Sequence, residues 1–373
     1  MLKLSRKNLV GAVEKVVNTT ESNSTLPILK CIQMNTDKGQ LVLNSTNLTV
    51  FSQSKLPVEG TLTEPVCIDG KFFYDFVRKV DGETVTIEIK ENTAHIVCGA
   101  VNVDVQIQNA SEFPDAFKQD TDDVKMVMNE DLFAKAIRHV VFAVGTDSSK
   151  PLLQCVNFVL DNSLLTLAAV DGYRVAVYNT SVETEHSQVK KSINVPGDAL
   201  KLVTSILSKE KSSDSKITLT FTPKFLTIEH LNSKFIIKLF EGEFLNYTSF
   251  LGAEWKTCVN ISRQEFINGL ELLDLFKTKE GTIAILNMTD GNLNLNSFGD
   301  NGNISKDIPV EIQGEDLKIC FRSQYIGDVL KIIEAEKVNM LFSGQLKASI
   351  IKPNAENYNY LYLALPIRMR DKE

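Results

Sequence analysis

Residues 8–17 read NLVGAVEKVV, and residues 132–141 read LFAKAIRHVV. A shift of 124 residues superimposes their apolar positions, pairing Leu9 with Phe133, Ala12 with Ala136, Val13 with Ile137, Val16 with Val140 and Val17 with Val141. Within each stretch the apolar residues recur at spacings of three and four, the pattern of an amphipathic helix with one buried face. The chain therefore contains at least two copies of a unit that begins with a helix.

Two further segments match at the same shift. PILKC at 27–31 is aligned with PLLQC at 151–155, and LVLNSTN at 41–47 is aligned with LTLAAVD at 165–171. A fainter third copy has its helix pattern in EFINGLELLDLF, from Glu265, and its strand pair in TIAILNMTDGNLNLNSF, from Thr282. Three units of 124 residues fill the 373-residue chain, and such self-similarity is typical of a repeated structural unit. We predict three domains, at residues 1–122, 123–251 and 252–373.

Each copy has the same coarse order: a helix, two or three strands, a second helix and further strands. The second helices are predicted to begin at Gly70, Gly197 and Ser323. Strand candidates such as TVTIEIKENTAHIVCG alternate apolar and polar residues around turn residues, as antiparallel hairpins do. Six helices combined with many antiparallel strands predict an α+β fold.

The composition indicates a globular protein, since 43% of the residues are apolar and the chain is long enough for several cores. Charged residues interrupt the amino-terminal stretch and no run of 18 apolar residues occurs, so we expect a cytoplasmic protein with no membrane partner. The six cysteines are widely spaced along the chain and form no C-x-x-C pair, which favours buried reduced thiols.

The net charge of −7 is unevenly distributed. The residues of the six predicted helices carry +4, which leaves −11 on the rest of the chain. Lys135, Arg138 and His139 are predicted to lie opposite the apolar stripe of their helix. A basic set on the helices of an acidic protein favours contact with phosphates, although solvated helix faces explain the same count. Without helix-turn-helix or zinc-finger spacing, such contact would be with the DNA backbone alone.

The sequence contains none of the common catalytic or cofactor motifs. It has no glycine-rich phosphate loop, no H-E-x-x-H and no G-x-S-x-G. The four histidines are scattered, and none has a Cys, Asp or Glu partner at metal-ligand spacing. We therefore expect no cofactor, no metal and no catalytic residues. A binding or scaffolding protein is the simpler interpretation. An enzyme without recognisable motifs is a further hypothesis.

The chain resembles the beta sliding clamp family of bacterial DNA polymerase III over its full length. It has TLPIL at 25–29, VDGYRVAV at 170–177 and LPIRM at 365–369. The family has T-L-P-I-L, T-D-G-H-R-L-A-V and P-M-R or P-I-R at these places. EFP from Glu112 and EGEFLNY from Glu241 also fall where the family has D-F-P and D-G-x-F-P-x-Y.

The resemblance implies a ring of two subunits, each with three clamp-type domains, closed head to tail. Such a ring encircles duplex DNA without sequence preference, tethers the replicative polymerase and catalyses nothing. The alternative is a repeat-built protein-interaction scaffold that does not encircle DNA. For ring closure the resemblance matches Val103 and Val105 in one subunit with Leu272 in the other. The residues expected to face DNA are Lys71, Arg78, Lys79, Lys135, Arg138, Lys150 and Lys201.

The resemblance also implies an apolar groove between the second and third domains, where the polymerase and the clamp loader insert short linear peptides. Carried over by motif, its residues are Leu153, Val170, Gly172, Tyr173, Arg174, Val175, Leu245, Phe250, Tyr325, Leu346, Leu363, Leu365, Pro366, Ile367 and Arg368.

Three groove positions depart from the family, and we expect them to alter peptide preference. Val170 replaces threonine, Leu245 replaces proline, and Tyr173 replaces the histidine of many members. The turn at Asp171 has its counterpart in the first copy, whereas the Gly-Tyr-Arg that follows it does not. Tyr173 and Arg174 are therefore predicted to touch a partner.

Overall fold

The structure is a computed structural model that describes residues 1–115, 124–184, 189–207, 215–250, 254–279, 281–299, 302–355 and 358–368. These residues form six α-helices and 27 strands, and every described strand pair is antiparallel, which confirms the predicted α+β class. None of the described helices combines the length and the apolar character needed to cross a membrane.

The first copy contains two helices and nine strands. They are β1 (Leu2–Ser5), α1 (Arg6–Val17), β2 (Cys31–Asp37), β3 (Gln40–Thr46), β4 (Val50–Pro57), β5 (Val66–Asp69), α2 (Gly70–Lys79), β6 (Thr84–Lys90), β7 (Thr93–Cys98), β8 (Val101–Gln106) and β9 (Gln108–Asn109).

The second copy follows the same order. Its elements are β10 (Val124–Asn129), α3 (Glu130–Val140), β11 (Cys155–Asp161), β12 (Leu164–Val170), β13 (Arg174–Ser181), β14 (Glu183–Thr184), β15 (Lys190–Pro196), α4 (Gly197–Leu207), β16 (Lys216–Phe221), β17 (Phe225–His230) and β18 (Ser233–Lys238).

The third copy completes the chain. Its elements are β19 (Thr257–Ser262), α5 (Arg263–Leu273), β20 (Ile283–Thr289), β21 (Asn292–Gly299), β22 (Gly302–Pro309), β23 (Glu311–Gly314), β24 (Leu317–Arg322), α6 (Ser323–Ile332), β25 (Lys337–Phe342), β26 (Ser349–Pro353) and β27 (Tyr360–Ala364).

The element bounds confirm the repeat. The helices α1 and α3 begin at positions related by the shift of 124, and so do β2 and β11, β3 and β12, and β4 and β13. In the third copy the spacing is different, because the segment from Arg263, where α5 begins, to Ile283, where β20 begins, is shorter than the segment from Arg6 to Cys31. This shortening between helix and strand explains why no single shift aligns the third copy and why its sequence signal is faint.

The chain folds as two compact units. Unit 1 comprises Met1–Ala134, Val182–Val189 and Asp198–Phe240, and unit 2 comprises Lys135–Ser181, Lys190–Gly197 and Glu241–Glu373. Pairing of β4 with β18 adds strands of the second copy to unit 1, and pairing of β13 with β27 unites the rest of that copy with the third. The unit limits therefore run through the second copy, and the predicted domain boundaries stay a prediction.

Each unit contains one large and one small sheet. In unit 1 the strand orders are β14-β10-β16-β17-β18-β4-β3-β2-β5-β9 and β1-β6-β7-β8. In unit 2 they are β15-β11-β12-β13-β27-β26-β25-β19-β23 and β22-β21-β20-β24. The predicted apolar stripes face the cores, since Leu9, Val13 and Val16 of α1 and Phe266 of α5 are fully buried. Burial of these stripes is the main force that holds helix to sheet.

In the first copy, Arg6 links the start of α1 to the end of α2 and to the residues that follow it. Its backbone N–H donates to the Glu83 carbonyl, at 2.8 Å. Its guanidinium donates from Nε to the Gly82 carbonyl, at 2.8 Å, and from Nη1 to the Val77 carbonyl, at 3.2 Å. The last carbonyls of a helix lack partners within the helix and carry partial negative charge, so a cation stabilises them.

The third copy repeats this anchor, whereas the second replaces it. Arg263 donates from Nε to the Ala335 carbonyl and from Nη1 to the Leu330 carbonyl, at 3.0 and 3.1 Å. In the second copy the position is Glu130, which is buried, with its Oε2 3.2 Å from Nε2 of His230. The same position in the fold is thus an arginine in the first and third copies and a glutamate in the second.

The Arg6 anchor predicts a measurable loss of stability in Arg6→Met, which keeps the aliphatic stem and removes the donors. Hydrogen bonds that involve a charged group contribute about 1.5–3 kcal/mol, so we expect the free energy of unfolding in urea to fall by about 2 kcal/mol. The neighbouring exposed Lys7, changed to Met, is the matched control and should stay within about 0.5 kcal/mol of the parent. Equal stability of the two variants would contradict an anchoring role.

Candidate protein-interaction groove

The turn between β12 and β13 depends on Asp171 and Gly172. The Oδ1 atom of Asp171 accepts hydrogen bonds from the backbone N–H groups of Tyr173 and Arg174, at 2.9 and 3.0 Å. Gly172 has a φ of +95°, a left-handed conformation that glycine adopts without steric cost. The Asp and the Gly therefore fix where the next two side chains begin.

The guanidinium of Arg174 is used inside the protein. The residue is only 8% exposed, and Nε and Nη1 donate to carboxylate oxygens of Asp171 and Asp328, at 2.8 and 2.7 Å. Nη2 donates to the Phe142 carbonyl, at 3.0 Å, and the guanidinium carbon lies 4.7 Å from the ring centre of Tyr325. All three guanidinium nitrogens thus have partners within the protein, and the predicted contact of Arg174 with a partner stays a prediction. Its role is to hold the turn against α6.

Tyr173 has the opposite character. Its side chain is 61% exposed, and its ring stacks on that of Tyr325 with centres 6.3 Å apart. Its backbone is fixed, because its carbonyl accepts a hydrogen bond from the N–H of Leu365 at 2.8 Å. The structure thus presents an aromatic face on a rigid support, which is what a peptide-binding surface requires.

Beside this turn lies an apolar floor formed by β12, β13 and β27, brought together by the pairing of Val175 with Leu363. Leu245 and Leu346 are 50% and 61% exposed, which leaves large apolar side chains in contact with water. The buried floor residues are Ala168, Val170, Val175, Val177 and Leu363, and the half-buried residues packed against them are Leu153, Phe244, Tyr247, Ala348 and Leu365. We call this floor, with Tyr173, Leu245 and Leu346, the candidate groove.

Five members of the candidate groove were missed by sequence reasoning: Ala168, Val177, Phe244, Tyr247 and Ala348. Phe244 and Tyr247 flank Leu245 in the EGEFLNY motif, so a signal was present, whereas Ala348 carries none. Of the remaining predicted residues, Pro366 and Ile367 are half-buried and Arg368 is exposed. Phe250 lies in the 3₁₀ turn Thr248–Phe250, and its side chain is outside the described set.

The equivalent strands of the first copy have a polar surface. Asn44 and Gln53 stand where the second copy has Ala168 and Val177, at the common shift of 124. Asn44 donates to the side chain of Gln33 and accepts from that of Gln53, at 2.9 and 3.0 Å. This row of amides cannot receive an apolar peptide without losing hydrogen bonds. The apolar floor of the second copy is therefore replaced by a polar surface in the first.

The basic residues predicted to face DNA are at the surface in their own units. Lys71, Arg78, Lys79, Arg138, Lys150 and Lys201 are exposed, and Lys135 is half-buried. Three of the seven are in ion pairs within the chain: Arg78 with Asp75 at 3.4 Å, Lys135 with Glu334 at 2.8 Å and Lys201 with Asp198 at 2.9 Å. Exposed pairs of this kind contribute about 0–1 kcal/mol, so a phosphate can replace the carboxylate at small cost.

His139 does not share the exposed face of α3, which corrects its predicted position. It is 2% exposed, with Nδ1 2.8 Å from the Lys135 carbonyl and Nε2 3.0 Å from the Tyr358 hydroxyl. The rings of Tyr178 and Tyr360 lie within 5.0 Å of its own. Burial lowers the pKa of His139, because the aromatic surroundings disfavour the charged imidazolium.

The residues predicted for ring closure lie on exposed elements. Val103 and Val105 belong to β8, the edge strand of the small sheet of unit 1, and are half-buried against its core. In unit 2, Leu272 on α5 is 40% exposed. Leu275 and Phe298, which the sequence analysis did not single out, are 71% and 58% exposed in the same unit. Strand β22 is the edge of the small sheet of unit 2, so among the described strands each unit has an edge able to accept another strand.

No group of three or more His, Cys, Asp or Glu side chains suited to a metal ion occurs in the described ranges. All six cysteines are free thiols, and all but Cys258 are buried. Burial, with a smaller effect of Asp69, raises the pKa of Cys31 to about 11. A thiol with that pKa is protonated near neutral pH and is a poor nucleophile.

Comparison with known proteins gives a consistent picture. Models of the DNA polymerase III beta subunit match residues 1–117 for the N-terminal domain, 127–246 for the central domain and 248–368 for the C-terminal domain. The beta sliding clamp of Staphylococcus epidermidis is 25% identical over 378 residues, with 98% of each chain covered. The DNA polymerase sliding clamp of Bacillus subtilis has a TM-score of 0.93 at 22% identity, with 99% of each chain covered. The sliding clamp of Pseudomonas aeruginosa bound to griselimycin has a TM-score of 0.92 at 19% identity, covering 98% of this chain and 99% of that one.

The contrast between Tyr173 and Arg174 gives a prediction that separates binding from stability. Tyr173→Ala should leave the free energy of unfolding within about 0.5 kcal/mol of the parent, because the ring is largely exposed. It should weaken binding of a peptide from the cognate replicative polymerase at least tenfold, measured by fluorescence anisotropy.

Arg174→Ala is the matched variant at the adjacent position. It removes a buried cation and leaves the half-buried carboxylates of Asp171 and Asp328 unpaired with it, so we expect a loss of about 3 kcal/mol in unfolding free energy. If Arg174→Ala were as stable as Tyr173→Ala, the supporting role of the guanidinium would be wrong.

His139 predicts a pH dependence of stability. In the unfolded chain its pKa is about 6.5, whereas burial lowers it in the folded protein. Between these values the unfolded state binds more protons, so stability falls as the pH drops below about 6.5. His139→Gln, which cannot titrate, should lose less Tm than the parent between pH 7.5 and pH 5. Parallel Tm profiles for the two proteins would refute the assignment.

Proposed function

Because the chain belongs to the DNA polymerase III beta subunit family, the sliding clamps, we propose that two copies close head to tail into a ring around duplex DNA. The family is the non-catalytic processivity subunit of the polymerase, and the chain functions as a DNA clamp. The observation that carries the proposal is the match of all three clamp domains along one chain, with no part of the repeat missing.

Ring closure is supported by the two sheet edges. Strand β8 of one copy and strand β22 of another offer backbone groups along one side, and Val103, Val105 and Leu272 add apolar contact. These are different surfaces of the same chain, so the contact is heterologous and each copy uses both surfaces once. A heterologous contact closes into a ring when its rotation divides a full turn.

Contact with DNA is expected to be weak and independent of sequence. Apart from Lys150, the exposed basic residues predicted to face DNA lie on α-helices of an acidic protein, and part of their charge is already neutralised by ion pairs. Contacts with phosphate release counterions and weaken steeply as salt concentration rises. A ring needs no more than this, since topology holds it on the DNA and weak contacts permit sliding.

The candidate groove is proposed to bind the polymerase and the clamp loader through short peptides. Its apolar floor, its exposed aromatic Tyr173 and the rigid turn beneath it support this role. We also propose that griselimycin, the ligand in the Pseudomonas aeruginosa structure, binds this chain and competes with the polymerase peptide. Griselimycin is then a probe of the groove that does not depend on the identity of the partner.

The test of encirclement uses a nicked circular plasmid. Protein loaded on the circle by the cognate clamp loader and ATP should co-elute with it in gel filtration at 0.5 M salt and be lost when the plasmid is linearised, because a ring slides off free ends. In light scattering the protein should have twice the mass of the 41.6 kDa chain. Leu272→Asp should halve that mass and abolish retention on the circle.

Leu231→Asp is the matched control, since Leu231 is 74% exposed in the turn between β17 and β18 and belongs to neither edge strand. It should retain the dimer and the plasmid. Equal retention on circular and linear DNA would sink the ring and favour a scaffold that does not encircle DNA.

A further inference from the structure

A polar cavity of about 470 Å³ adjoins the candidate groove in unit 2. The two share Phe244, Leu245 and Tyr247, so the same short segment forms a wall of both. The polar residues that line the cavity are Asn157, Thr166, Ser192, Glu243, Asn246 and Thr248. Neither ring closure nor binding of an apolar peptide in the groove makes use of this space.

The walls of the cavity are fixed at both ends. Asn194 donates to the Gly242 carbonyl at 2.8 Å. Gly242 has a φ of +136°, and a Cβ added at this residue would lie only 2.9 Å from the Leu152 side chain, too close for any other amino acid to fit without a shift. At the other end, the Asn246 side chain accepts hydrogen bonds from the N–H and the hydroxyl of Thr248, at 3.1 and 2.7 Å. The cavity is therefore formed before any ligand arrives, and binding does not have to order the loop.

The chemistry of the lining favours a hydrogen-bond donor with positive charge. The hydroxyl of Thr166 donates its hydrogen to Asn179 at 2.8 Å, so its oxygen can still accept a hydrogen bond from a ligand. Glu243 supplies an exposed carboxylate, and the described lining contains no Lys or Arg to neutralise it. The hydroxyl oxygens and the Glu243 carboxylate in one cavity match a guanidinium, which has five donors and no acceptor.

The first copy contains a cavity of about 480 Å³ at the equivalent place, and the comparison is informative. Gln33 and Val42 line it where Asn157 and Thr166 line the second, at the shift of 124. That cavity is also lined by Lys55, so it has a cation of its own. In the second copy this position is Asn179, which is neutral. The first cavity also contains the carboxylates of Asp37 and Asp115, next to its own lysine, whereas the described lining of the cavity beside the apolar floor contains a carboxylate and no cation.

We propose that this cavity is a subsite for an arginine side chain of the partner peptide whose apolar residues occupy the candidate groove. The proposal rests on the proposed peptide binding and specifies which peptides are preferred. Leu245, half-exposed between the two spaces, is the ridge that the peptide crosses. A proline in place of Leu245 would offer a shorter and more rigid ridge. The replacement of the family's proline by leucine is therefore part of the proposed subsite.

The test uses peptides from the cognate replicative polymerase. The tightest-binding one is extended by three residues at either end, with Arg, Gln, Ala or Glu at the last position. We expect Arg at one of the two ends to increase the affinity over Ala about fivefold, and Glu to decrease it, measured by fluorescence anisotropy at 0.1 M salt. Glu243→Gln should remove most of the gain from Arg and leave the binding of the unextended peptide unchanged.

Glu241→Gln is the matched control, because Glu241 is also exposed on this segment but does not line the cavity. It should keep the gain. Val159→Phe, which fills part of the cavity from β11, should abolish the gain while the unextended peptide and griselimycin still bind. If the unextended peptide binds and Arg gives no gain at either end, the subsite is refuted and the groove stands. If neither the peptide nor griselimycin binds the parent protein, the groove and the subsite both fall.

Discussion

The pairing of β13 with β27 is the constraint on which the interaction surface depends. It places Val175 beside Leu363, and it brings Leu365 to the carbonyl of Tyr173. Without it the apolar floor would have one strand fewer and the turn after β12 would lose its support. The ion pairs of Arg174 with Asp171 and Asp328 reinforce this arrangement, since they tie the turn to α6. The buried Arg174 guanidinium fixes the geometry of the turn, and the exposed Tyr173 ring next to it is the part proposed to contact a partner peptide.

Comparison of the first two copies explains why the apolar floor forms in one of them and not in the other. The backbone of the first copy reproduces that of the second, down to the N–H of Lys238 donating to the carbonyl of Thr49, as that of Leu365 does to Tyr173. What differs is the side chains on the strands, where Gln33, Asn44 and Gln53 form a hydrogen-bonded row. The repeated backbone therefore gives the two copies the same shape, and a few side-chain differences decide which copy has the apolar floor.

The repeat, the helices and the α+β class were predictable because apolar periodicity follows directly from burial, and burial is what holds each copy together. Exposure of single side chains was less predictable. Sequence spacing placed His139 on the polar face of its helix, yet aromatic residues from β13 and from residues 358–360 enclose it. Likewise, the motif located Arg174 but could not show that Asp328, 154 residues away, takes up its charge. In both cases the surroundings of the side chain come from residues distant in sequence, which local patterns do not record.

The strand pairs that cross from one copy to the next also bear on how the chain reaches its fold. Phe51 pairs with Ile236 and Val175 pairs with Leu363, so each of these ladders closes a loop that spans about half of the chain. Contacts of such sequence separation form late, after most of the entropy of the chain has been lost. Until then β4 and β13 are long, unpaired edges that can join a neighbouring molecule. The copies are thus not independent beads, and one of them made alone should be prone to aggregation.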